Sequence, residues 1–158
     1  MLKKWYVILP AAAVLFLAAV FILLLVARGP LLEERALGEE LALEEQNVES
    51  VDDVFLYNGS TFLYSTLVTN EDESRDWVFL NEEEAVERIN AADTITLEEA
   101  ETRIMEDNNV ERLKKVTPGI EEGIPVYEGV YEAEGRLQYY YIRMADGEFI
   151  KRYSFRKD

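Results

Sequence analysis

The sequence predicts an α+β protein: an N-terminal transmembrane helix followed by two small repeats, each a helix plus an antiparallel sheet. Three observations carry this. Trp5 to Ala27 is a run of 23 uncharged residues, mostly Leu, Val, Ala, Ile and Phe. Beyond it, alternating apolar runs are separated by Asn58-Gly59, Glu134-Gly135 and Asp146-Gly147, the two-residue turns that close hairpins. Finally, Asn47-Val48-Glu49 through Val54 matches Asn109-Val110-Glu111 through Val116, 62 residues further on.

At about 1.5 Å per residue, residues 5–27 span a hydrocarbon core of roughly 30 Å. Trp5 and Tyr6 suit the headgroup level. Lys3 and Lys4 precede the span, so residues 1–4 form a cytoplasmic tip and the rest is extracytoplasmic. A cleaved signal is disfavoured: the apolar run exceeds a typical signal core of about 7–15 residues, and Pro30 follows the sole small-x-small site, Ala27-Arg28-Gly29.

Residues 29–158 hold all 32 acids and 13 of the 16 bases, a net charge of -19. Gly29-Pro30 is expected to break the membrane helix. Residues 31–47 then read as a stalk helix or the first helix of the first repeat, weakened at Gly38. Strands are expected at Asp53–Tyr57, Thr61–Thr69 and Asp76–Leu80. Asn81, with Glu84 three residues on, predicts a short helix over Glu82–Asn90. Thr96, with Glu99, predicts a second over Leu97–Asn108, with Leu97, Ala100, Ile104 and Met105 as its apolar stripe. Val110–Val116 reads as a strand ending at Pro118-Gly119. A three-stranded meander fills Gly123 to Arg156. The first repeat is therefore residues 31–92 and the second 93–158.

Turn positions fix the register of that meander. Tyr127, Tyr131, Tyr140, Ile142, Met144, Phe149, Tyr153 and Phe155 fall on one face, expected to pack under the Leu97–Met105 stripe. Val126, Val130, Tyr139, Tyr141 and Ile150, mixed with Glu128, Arg143 and Arg152, fall on the other. That second face either covers the first repeat or stays open to a partner. Tyr139, Tyr141, Arg143 and Arg152 are the candidate partner-binding residues.

The chain has no His and no Cys. This excludes Ser-His-Asp and Cys nucleophile chemistry, imidazole or thiolate metal sites and disulfides. A pI near 4.4 argues against nucleic acid as a partner. Paired carboxylates alone suffice for a glycosidase, but among 32 acids close pairs arise by chance. Asn70–Asp76 lacks the turn Gly and terminal Glu of a calcium loop. No enzyme activity, cofactor or metal is expected.

The stretch Gly123-Ile124-Pro125-Val126-Tyr127-Glu128-Gly129-Val130-Tyr131, then Gly135, then Tyr141-Ile142-Arg143-Met144-Ala145-Asp146-Gly147-Glu148-Phe149-Ile150-Lys151, resembles PepSY-like (cystatin-like) domains. With the anchor, the whole resembles the TseB-like (YpmB-like) extracytoplasmic proteins of Gram-positive bacteria. Arg143 stands where such sequences usually carry Asp. The resemblance implies a single-pass membrane protein that regulates cell-wall elongation by binding a penicillin-binding protein, a membrane peptidoglycan synthase. A PepSY-type protease inhibitor or propeptide-like module is the alternative.

Overall fold

The computed structural model describes residues 5–156, with side chains for 12–23 and 29–156. Helix α1 is Trp5–Leu43, and the chain divides into two compact units at Ala36/Leu37. In the first unit, Val14, Leu15, Phe16, Phe21 and Leu23 are exposed. Among the described residues no helix is long and apolar enough to cross a membrane. The expected span, 5–27, falls in part outside the described side chains, and the tip 1–4 lies outside the described residues. Gly29-Pro30 does not break α1. Only one backbone bond is lost to a proline nitrogen, and the Leu, Ala and Glu that follow are strong helix formers.

The second unit, from Leu37, holds two four-stranded antiparallel sheets. In the first sheet, β1 (Val48–Asn58), β2 (Phe62–Asn70), β3 (Arg75–Leu80) and β4 (Ala85–Asn90) lie in chain order. A 3-10 turn at Ala91–Asp93 and helix α2 (Leu97–Asn108) lead to the second sheet. There β5 (Lys115–Glu121), β6 (Ile124–Ala133), β7 (Arg136–Arg143) and β8 (Phe149–Arg156) also follow chain order. The two repeated Asn share a cause. Asn47 and Asn109 both adopt positive φ, 63° and 49°, and Asn tolerates that left-handed conformation just past a helix.

Helix α2 begins as expected: the Thr96 hydroxyl accepts from the Glu99 amide, and the Glu99 carboxylate accepts from the Thr96 amide. The expected helix at Glu82–Asn90 is strand β4 instead. Asn81 Oδ1 does accept from the amides of Glu83 and Glu84, but it caps only a turn. From Ala85 the chain pairs with β3, and Arg88 is held by Asp76, Asn70 and the Gln46 carbonyl. Tertiary pairing overrides local helix signals here.

The expected strand at Val110–Val116 is also displaced. β5 starts at Lys115 and runs through Pro118-Gly119. β5 is an edge strand, where a missing N–H is tolerated. Glu122 and Gly123, with φ of 52° and 77°, then make the tight turn into β6.

Two cores result. α1 contributes Gly38, Leu41 and Ala42 to the first, against one face of the first sheet that carries Tyr64, Val68, Val78 and Leu80. A Cβ at Gly38 would lie 2.8 Å from the Tyr64 ring, so close packing explains that glycine inside a helix. In the second core, Ala100 and Ile104 of α2 meet Tyr127, Tyr131, Tyr140, Ile142 and Met144 of the second sheet. Trp77 and Phe79, from the other face of the first sheet, join it. A Cβ at Gly129 would lie 2.8 Å from Ile104 Cδ1, so the crossing helix is the reason for that glycine.

Candidate functional site: the outer part of the second sheet

The second sheet has a front, under α2, and a back. The edge of β5 is seated against the first sheet. Phe55 and Trp77 lie on its front side, Trp77 edge-on to Tyr127 at 6.3 Å. Tyr57 lies on its back side: a Cβ on Gly119 would fall 2.3 Å from the Tyr57 ring. The bare backbone of Gly119 is what admits that ring. The back is therefore covered in part by the first repeat.

A polar network whose Tyr57, Tyr141, Glu121 and Glu128 are buried lies behind the sheet. The Tyr57 hydroxyl donates to Glu121 Oε2 at 2.6 Å, and Lys151 Nζ donates to Glu121 Oε1 at 2.8 Å. Beside them, the Tyr141 hydroxyl donates to Glu128 at 2.7 Å, and Lys115 pairs with the same carboxylate at 3.1 Å. Lys151 Nζ also lies over the Tyr141 and Tyr153 rings, 5.3 and 5.1 Å from their centres. Burial pushes the Tyr57 and Tyr141 hydroxyls far above the ordinary phenol value, and their carboxylate partners push the same way. At Glu121 burial works upward, but the hydrogen bonds from Lys151 and Tyr57 prevail and hold its carboxyl below the usual value. Each polar group named is satisfied, so the network reads as a lock between the repeats.

Of the four candidate residues, only Tyr139 stays half-exposed on the back with its hydroxyl uncommitted, edge-on to Phe155 at 5.5 Å. Tyr141 is buried in the network, so it is no partner surface. Arg143 closes the last turn through Asp146, at 3.0 Å, and Glu148. Arg152 lies on the front, not the back. With Asp146-Gly147 as a two-residue loop, Ile142 is expected opposite Lys151 and Tyr140 opposite Tyr153; the first is off by two residues and the second by one. Instead Ile142 opposes Phe149, an irregularity follows, and Tyr140 opposes Arg152. The cause is a four-residue turn, Met144 to Gly147, closed by the Arg143 amide on the Glu148 carbonyl, and then a bulge. Tyr153 and Phe155 consequently move to the back, beside Tyr141 and Tyr139. The β6–β7 register, from Tyr127 opposite Ile142 to Ala133 opposite Arg136, is as expected.

What remains uncovered is the outer strand. β8 ends the sheet, and its Phe149, Tyr153 and Phe155 are 50%, 45% and 56% exposed. A concavity of about 680 Å³ lies between Phe55, Leu67, Trp77 and the Ala91–Leu97 connection. Sequence reasoning missed it, because its walls come from both repeats.

No family model matches the chain. No curated protein matches it either. Among solved structures, the YpmB protein from Bacillus subtilis matches with a TM-score of 0.63 at 21% identity, over 75% of this chain and 96% of that one. The YpmB-like resemblance read in the sequence thus holds at the level of the fold: two helix-plus-sheet repeats that share an interface.

Proposed function

We propose that the chain is a membrane-anchored, extracytoplasmic interaction protein without enzyme activity. In this reading residues 5–27 anchor it in the bilayer with the N-terminus cytoplasmic, and residues 31–92 and 93–158 are two PepSY-like repeats. Its partner is a penicillin-binding protein, and its role is regulation of cell-wall elongation. The uncharged run after Lys3 and Lys4 supports the anchor. The likeness to YpmB supports the choice of protein class. The observation that carries the interaction reading is the aromatic strip on the outer part of the second sheet, where Tyr153 and Phe155 are exposed and Tyr139 is half-buried edge-on to Phe155.

A photo-crosslinker at Tyr139 in growing cells, followed by mass spectrometry, tests it. A membrane peptidoglycan synthase is the expected product. Recovery of soluble proteins alone would overturn the partner assignment.

A further inference from the structure

Charge is distributed unevenly in this acidic protein. β7 and β8 together carry Arg136, Arg143, Lys151, Arg152 and Arg156, and no carboxylate. Lys151 is consumed by Glu121 and Arg143 by the turn. Arg136 bonds Ser154 Oγ at 2.8 Å. Arg152 and Arg156 are exposed and have no carboxylate partner among the described residues.

Register sorts these groups by face. Arg152 opposes Tyr140 and Arg156 opposes Arg136, both on the front, whereas Tyr153 and Phe155 oppose Tyr139 and Leu137 on the back. Among the described residues the outer edge of β8 pairs with no strand. Cations on an edge strand often serve only to repel other strands. That role does not account for exposed aromatics on the opposite face, which favour association.

The geometry points to a strand-addition site: β8 receives an extended segment of a partner in which acidic side chains alternate with apolar ones. Backbone pairing to the β8 edge supplies the docking. The acids meet Arg152 and Arg156 in front, and the apolar residues meet Tyr153 and Phe155 behind, as the period of two in a strand requires. A second copy of this chain does not fit the same edge, because its own β8 brings arginines to arginines and no carboxylate. This inference rests on the interaction reading above but not on the partner's identity. The synthase can fail in cells while the edge chemistry stands, and the reverse.

Selection of a random twelve-residue peptide display library on the full chain in detergent micelles tests it. Enriched sequences are expected to alternate Asp or Glu with apolar residues. Their binding should fall about tenfold in Arg152→Glu/Arg156→Glu. Selection on that variant should instead enrich Lys or Arg at the acidic positions. Both arginines are exposed, so the variant is expected to melt with the parent. Should it not fold, Tyr153→Ser/Phe155→Ser serves instead, and loss of the apolar preference is the expected result. Enrichment without alternation, basic sequences on the parent chain, or no enrichment would overturn the proposal. A dimer in sedimentation that dissociates in Arg156→Glu would assign the edge to a second copy and overturn it equally.

Discussion

The two repeats share one topology and end differently. In the first, the outer strand β4 carries one cation, Arg88, and spends it inward on Asp76 at 2.7 Å and Asn70 at 2.7 Å. In the second, the outer strand β8 carries three cations, and only Lys151 is spent inward. The first sheet packs one face on α1 and the other in the joint core. The second gives its front to α2 and the inner part of its back to Tyr57, and leaves its outer strand open. The outer strand of the first sheet spends its one cation inward, whereas that of the second leaves two cations and its aromatics exposed.

The strongest way to break this contrast is through Tyr57. Tyr57→Ala removes a fully buried ring from the joint between repeats and should cost about 3–5 kcal/mol. Tyr153→Ala, an aromatic on the open strand, should cost within about 1 kcal/mol. Equilibrium denaturation of the two variants measures the difference. Equal costs would mean that β8 is as covered as the joint.

Gly119→Ala should come next, at about 1–3 kcal/mol, because the new methyl group displaces the Tyr57 ring. In Gly119→Ala/Tyr57→Ala the glycine change should cost less than it does alone, since its obstacle is gone. Additive effects in that cycle would contradict the close approach.

The polar lock gives a pH signature. The Glu121 carboxyl is held below its unfolded value, so its stabilisation is present above about pH 4.3 and is lost as pH falls through the lowered folded value. The Tyr57 and Tyr141 hydroxyls are raised, so their contribution is complete below about pH 10 and is lost as pH rises beyond it. Melting temperature against pH should therefore lose part of its acid limb in Glu121→Gln. It should lose part of its alkaline limb in Tyr57→Phe. An acid limb unchanged in Glu121→Gln, or an alkaline limb unchanged in Tyr57→Phe, would refute the assignment.

The smallest effect is a gain. The Ser65 hydroxyl is buried in the first sheet with no hydrogen-bond partner among the described residues. Ser65→Ala should raise stability by up to about 1–2 kcal/mol in the same denaturation assay.

Local chemistry made much of this fold readable in the sequence. The Thr96/Glu99 box, the Glu134-Gly135 turn and the β6–β7 register depend on residues close in the chain. The errors arose where distant contacts decide. Asn81 supplies a cap to either a helix or a turn, and only β3 settles which. Pro118-Gly119 looks like a break until β5 is placed at an edge with Tyr57 lying on Gly119. Asp146-Gly147 reads as a two-residue loop, yet the turn is longer, and the bulge after it moved Arg152, Tyr153 and Phe155 to the other faces. The candidate site suffered most, because one bulge reassigns every side chain that follows it.

The most direct test compares the two outer strands in living cells. A photo-crosslinker at Phe155 on β8 and one at Val86 on β4 are similarly exposed, at 56% and 47%. Capture of a penicillin-binding protein from Phe155 and not from Val86 is the result expected here. Capture from Val86 alone, or equally from both positions, would contradict the claim that the second repeat holds the association edge.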